Sequence, residues 1–178
     1  GFFDVPVDHL YASMVFLPYI QSLKLDELVM AAPDVGGSKR ASAYAKFLDV
    51  PLVLCQKTRT RANVVDDIRI IGDVQGKNVV IVDDIVDTAG TICKAGDVMM
   101  EAGAKSVRAL ASHCVMSGDA PMRVDNSCLE EIVFTNSIPY RNSVPCKKLK
   151  QLSVAQMFAE TIRRVISNES ISSQYLIK

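Results

Sequence analysis

Residues Val79 to Val82 read VVIV, an unbroken run of β-branched side chains with no polar position between them. A strand with one wet face alternates apolar and polar residues, so a continuous run is expected where both faces are covered, as in a parallel sheet between helices. Parallel neighbours cannot be joined by tight turns. Each needs a crossover, usually a helix, and that requirement organises the rest of the chain. Met14 to Ser22 reads as helix despite Pro18, Leu28 to Ala32 as a short strand, Ser38 to Leu48 as helix. Pro51 to Cys55 reads as a strand leading into a basic loop that reaches about Val65, with a polar hairpin-like segment around Gly72 and Gly76 behind it. Thr91 to Ala102 is an amphipathic helix stopped by Gly103, and Val107 to Val115 and Cys128 to Thr135 are strands. Val154 to Ser167 closes as a helix, with Ile162, Val165 and Ile166 expected toward the core and Arg163 and Arg164 toward solvent. This alternation predicts one α/β domain over residues 1–178, a three-layer sandwich with a mostly parallel sheet.

Composition narrows the function classes. With 178 residues, 49% of them hydrophobic, the chain can bury a substantial core without disulfides or a structural metal. Its 20 basic and 20 acidic residues cancel, so no nucleic-acid partner is expected and any anion recognition must be local. The apolar stretches are too short to span a bilayer and no leader pattern opens the chain; the expectation is a cytoplasmic protein without a membrane partner. Cys55, Cys93, Cys114, Cys128 and Cys146 are odd in number and widely spaced, which favours reduced thiols over disulfides or zinc. His113 lies in an apolar run and reads as a satisfied core histidine.

Three segments carry chemistry. Asp83 and Asp84 end the VVIV strand, where open α/β sheets bind ligands. Asp87, Thr88, Ala89, Gly90 and Thr91 follow as a turn whose small side chains let backbone N–H groups close on a phosphate, with two threonine hydroxyls and a helix N-terminus as further donors. Carboxylates beside an anion repel it unless they contact hydroxyls or a divalent cation, so the acid pair is expected to hold sugar hydroxyls, Mg²⁺, or both. A solvated acidic turn is the alternative. Asp34-Val35-Gly36-Gly37 places a carboxylate next to two glycines at another strand end, either a polyphosphate cradle or a plain turn. Lys57, Arg59 and Arg61 alternate with Thr58 and Thr60, so an extended segment would project three cations to one side. Polyphosphate is their natural counter-ion; a cation-protected edge strand is the structural alternative.

The run VVIVDDIVDTAGT from Val79 to Thr91 resembles the ribose-5-phosphate signature shared by type I phosphoribosyltransferases and ribose-phosphate pyrophosphokinases. GFFDVPVDHLY at the start resembles the connection into the second domain of the pyrophosphokinases, APDVGGSKR from Ala32 their pyrophosphate loop, and KTRTRAN from Lys57 their mobile catalytic loop. Ser117-Gly118 with Ala120, and the tail RRVISNESISSQYL, continue the likeness. It covers essentially the whole chain and is to the C-terminal half of such an enzyme, with residues 1–13 as the interdomain connecting segment and the N-terminal half lacking.

The resemblance implies a type I phosphoribosyltransferase-like, Rossmann-like sheet. It implies transfer of the diphosphoryl group of MgATP to the 1-hydroxyl of ribose 5-phosphate, giving 5-phosphoribosyl 1-pyrophosphate and AMP for nucleotide biosynthesis. Lys57 and Arg59 would be catalytic, and Asp83, Asp84, Asp87, Thr88, Ala89, Gly90 and Thr91 would bind ribose 5-phosphate. Asp34, Asp83 and Asp84 would hold Mg²⁺. Ser117, Gly118 and Ala120 would form a candidate allosteric anion site, although Asp119 departs from the family's Ser-Gly-Pro-Ala turn and would oppose a phosphate. Thr58 and Ala62 stand where related enzymes often have Arg and Pro. ATP, ribose 5-phosphate, the other half and further copies in a dimer or hexamer are the implied partners. Because the family's adenine-binding groups and a further metal-contacting histidine lie in the N-terminal half and across a subunit interface, the chain alone is expected to be inactive. Three alternatives remain at this stage: a type I phosphoribosyltransferase, opposed by the Lys57 to Arg61 segment and the lacking half; a non-catalytic regulatory subunit, opposed by intact Lys57, Arg59, Asp83 and Asp84; and a ligand-sensing regulator, for which no DNA-binding extension is visible.

Overall fold

In the computed structural model, which describes residues 3–58, 67–175 and 177, strands and helices alternate along the chain. The strands are β1 Leu28–Ala32, β2 Leu52–Thr58, β3 Asp67–Ile71, β4 Asn78–Val86, β5 Ser106–Cys114, β6 Ile132–Thr135 and β7 Leu149–Leu152. The helices are α1 Ser13–Ser22, α2 Ser38–Leu48, α3 Gly90–Glu101, α4 Ala120–Asp125 and α5 Ala155–Ile166, with a 3₁₀ turn at Ser172–Gln174. One sheet holds all seven strands in the order β3-β2-β1-β4-β5-β6-β7. Every pairing is parallel except β2 with β3.

The period-2 alternation of the strands sorts their side chains into two cores, one on each face. Met30, Ala32, Val80, Val82, Leu110 and Val133 meet Phe16, Leu17 and Ile20 of α1 and Ala41, Tyr44 and Ala45 of α2. Val29, Ala31, Val79, Ile81, Val107, Ala109, Ile132 and Phe134 meet Ile92, Cys93, Ala95 and Met99 of α3 and Val124 of α4. The VVIV run is therefore buried on both sides, as its composition requires, and the three-layer α/β expectation holds. The five thiols are free; burial pushes Cys55 and Cys114 up to about 11, which keeps them protonated and inert.

Several local expectations change. β2 extends to Thr58, so Lys57 belongs to a strand paired opposite Ile68 and the supposed polar hairpin contains β3. β7 and the short α4 carry too little apolar pattern to be read in advance: LKQL is half-buried only at its two leucines. His113 is exposed on β5 instead of buried, its Nδ1 2.9 Å from Ser137 Oγ. The face of α5 is reversed. Met157 and Thr161 point inward, while Ile162, Val165 and Ile166 are exposed at 56%, 54% and 76%. Both sheet faces are already covered by the other helices, which leaves α5 only a narrow inward stripe. Arg163 is exposed as expected, whereas Arg164 is half-buried, and both bond Glu160.

Candidate active site

From β1 the chain steps to β2 on one side, and from β4 through β5 and β6 to β7 on the other, so the sheet reverses its order between β1 and β4. Such a switch point leaves a crevice at the carboxyl ends of the two strands. Asp34 follows β1 and Asp83 and Asp84 lie on β4, so the topology brings both acidic segments to that crevice. A cavity of about 310 Å³ there is lined by Asp34, Asp83, Asp84 and the turn from Asp87 through Thr91. Every residue expected to bind ribose 5-phosphate or Mg²⁺ thus shares one space.

The turn is shaped by Ala89, which adopts a left-handed conformation (φ 59°, ψ 6°) although it is not glycine. That conformation costs an alanine about 1 kcal/mol, so it persists only where the surroundings impose it. It lets α3 begin at Gly90 with no side chain capping its first turn, leaving N–H groups for an incoming anion.

The acid pair is held by the protein itself. Asp84 N–H donates to Asp83 Oδ1 at 2.8 Å and Ile85 N–H to Asp84 Oδ1 at 2.9 Å. Arg40 reaches over from α2 with one nitrogen 3.1 Å from Asp83 Oδ1 and another 3.0 Å from Asp84 Oδ2. Burial pushes the Asp83 carboxyl up to about 6; the Asp84 N–H and the charge of Arg40 oppose the rise, and the Asp84 carboxylate adds to it. For Asp84 burial raises the value, but the bond to Asp83, the charge of Arg40 and two backbone donors outweigh it and hold the group below its ordinary range. Asp34 turns its Oδ1 back onto Gly37 N–H at 2.9 Å, and a Cβ at Gly36 would sit 3.1 Å from that oxygen. Glycine at position 36 keeps the carboxylate in its turn.

Among the described residues no three acidic, histidine or cysteine side chains converge closely enough to enclose a metal ion. Mg²⁺ is held by one or two carboxylates plus water and substrate phosphate oxygens, so the all-oxygen pair Asp83 and Asp84, with Asp34 across the cavity, fits it. Lys57 stands near the carboxyl end of β2, three positions beyond Leu54, the last β2 residue paired with β1. Arg59 lies outside the described residues, as does Arg61.

The Ser117 turn is joined to the same loop. Ser117 donates its hydroxyl to the Asp87 carboxylate and its N–H to the Asp87 carbonyl at 3.0 Å. Asn142 Nδ2 clamps the carbonyls of Met116 and Gly118 at 2.9 and 3.0 Å, and Ala120 is buried at the start of α4. The serine donors that the sequence offers to an anion are thus already used by Asp87. From α4, Arg123 donates to the Thr88 carbonyl. Arg123 does not stand out in the sequence, and Arg40 enters it only as the last residue of the APDVGGSKR segment, with no role of its own. For Arg40 a signal exists: Lys39 and Arg40 occupy the first turn of α2, where the helix dipole repels cations, so a nearby anion is implied.

Comparison with known proteins adds to this geometry. A ribose-phosphate pyrophosphokinase of Porphyromonas gingivalis is 61% identical over 176 residues, 98% of this chain and 56% of the relative. The crystal structure of phosphoribosylpyrophosphate synthetase from Mycobacterium smegmatis superposes with a TM-score of 0.84 at 37% identity, covering 94% of this chain and 55% of that one. An adenine phosphoribosyltransferase, 16% identical with a TM-score of 0.54 over 68% of this chain and 75% of its own, shares the fold. The chain spans about half the length of the relatives it matches. A family model, the phosphoribosyl synthetase-associated domain, matches residues 56–177, more than half of the chain, and to that family the chain belongs.

Proposed function

We propose that this chain is the ribose-5-phosphate-binding half of a ribose-phosphate pyrophosphokinase. The observation that carries the reading is the cavity at the β1/β4 switch point, which is lined together by an uncapped helix start, two threonines and an acid pair. The Thr88 and Thr91 hydroxyls, with the N–H groups after left-handed Ala89, receive the 5-phosphate. Asp83 and Asp84 orient the ribose hydroxyls, so that the 1-hydroxyl faces the open side of the crevice. Asp83 and Asp84, with Asp34 lining the same cavity, would hold Mg²⁺, which would supply positive charge against the polyphosphate. The 1-hydroxyl oxygen bonds to the β-phosphorus of ATP, the bridge between α and β phosphates breaks, AMP leaves, and the hydroxyl proton is released. Lys57 and Arg59 supply positive charge to the transferring group, and no covalent enzyme intermediate is needed. The remaining half of the relatives' length supplies the nucleoside contacts, and the assembly is a homo-oligomer.

Calorimetric titration with ribose 5-phosphate tests the loop. Thr91→Val deletes a hydroxyl donor to a doubly charged phosphate, a bond worth about 1.5–3 kcal/mol, so affinity falls about tenfold or more while nucleotide affinity is little changed. Unaltered ribose 5-phosphate binding in that variant would refute the assignment.

A further inference from the structure

Arg40 is placed against its own helix. It sits in the first turn of α2, where the positive end of the dipole disfavours a guanidinium, yet it spans both members of the acid pair. The oxygens it takes are Asp83 Oδ1, which also accepts from Asp84 N–H, and Asp84 Oδ2, carboxylate oxygens of the kind a divalent cation requires. The guanidinium and the ion therefore compete for the same atoms and repel each other. Arg40 also has somewhere to go. It forms part of the wall of a cavity of about 410 Å³ with Lys39, Gly36 and Tyr44, and of another of about 510 Å³ with His113 and Phe158. Its side chain is one-third exposed, so leaving the acids disturbs neither core.

We propose that Arg40 is a displaceable counter-cation, a positioning residue that occupies the acid pair in the unloaded protein, yields it to a divalent cation, and withdraws into the cavity beside Gly36 and Lys39. Entry of the metal thereby frees a guanidinium next to the Asp34–Gly37 turn, where it meets the anionic part of the ligand. The proposal rests on the reading of Asp83 and Asp84 as metal ligands, and that reading has its own control.

The test is Mn²⁺ binding to the 178-residue chain without nucleotide, followed by the electron paramagnetic resonance signal of free Mn²⁺, with circular dichroism to verify that each variant folds. Arg40→Gln removes the competitor and is expected to bind Mn²⁺ about three- to tenfold more tightly, with Arg40→Lys in between because it keeps the charge and loses the fork. A merely structural arginine predicts the opposite, since loosening the acid pair weakens the site. Unchanged or weaker binding in Arg40→Gln, with binding abolished in Asp84→Asn, overturns the role given to Arg40 alone. Mn²⁺ binding indifferent to Asp84→Asn overturns the metal reading, and the proposal with it.

Discussion

At Asp83 a carboxylate is held in a crevice that favours its neutral form. Its ordinary value of 3.8 rises to about 6, chiefly through burial, so between those two values the folded chain binds a proton that the unfolded chain has released. Stability from this group is complete below about pH 4 and is lost as the pH climbs to about 6. Relative to Asp83→Asn, the wild-type chain should lose about 1–2 kcal/mol between pH 4 and pH 7, less than the full shift implies because the pair is partly solvated. Urea unfolding at a series of pH values in chelator measures this difference, and a pH-independent one would show that Asp83 is not desolvated. The acid pair was legible in the sequence because its partners in function are neighbours in the chain. Arg40 was not, since its bonds to Asp83 and Asp84 exist only once α2 is laid against β1 and β4. Ser117 was legible as an anion donor but not as a partner of Asp87, for the same reason.

Among the elements, α5 departs furthest from its pattern. Phe158, Ile162, Val165 and Ile166 form an exposed stripe, and the inward contacts fall to Met157 and Thr161, whose hydroxyl lies 2.9 Å from both the Met157 carbonyl and Gln174 Oε1. Ile162→Gln and Ile166→Gln should therefore each change the stability of this chain by less than about 0.5 kcal/mol, whereas Met157→Ala should cost about 2 kcal/mol. Chemical denaturation decides; a large loss at Ile162 would mean that the stripe is covered. Amphipathic spacing reveals that a helix has an apolar face, not what lies opposite it. β1 and α2 match their expected bounds because an apolar run ends abruptly in the Pro33 to Gly37 turn and Asp49 takes a left-handed cap. β7 offers no such boundary, and its pairing with β6 follows from the sheet's need for a neighbour.

For the molecule as a whole, two cores on either side of one sheet explain how a chain of half the relatives' length holds its site together. Binding of the sugar phosphate and turnover should therefore separate. The isolated chain should take up ribose 5-phosphate yet release no AMP from MgATP, as a coupled assay would register; turnover comparable with that of an intact relative would show that the nucleoside contacts lie within these 178 residues. The α/β class was readable from alternation alone, while the order of strands, and with it the location of the crevice, emerged only in three dimensions. That order also bears on how the chain reaches its native state. β1 pairs with β4, Leu28 beside Asn78, across an intervening stretch of chain that contains α2, β2 and β3. That closure carries a loop-entropy cost which the more local β4–α3–β5 unit, containing the Asp87 to Thr91 turn, does not bear. The turn proposed to receive the sugar phosphate should thus be ordered earlier in refolding than the complete set of three carboxylates, an order that pulsed hydrogen exchange would read.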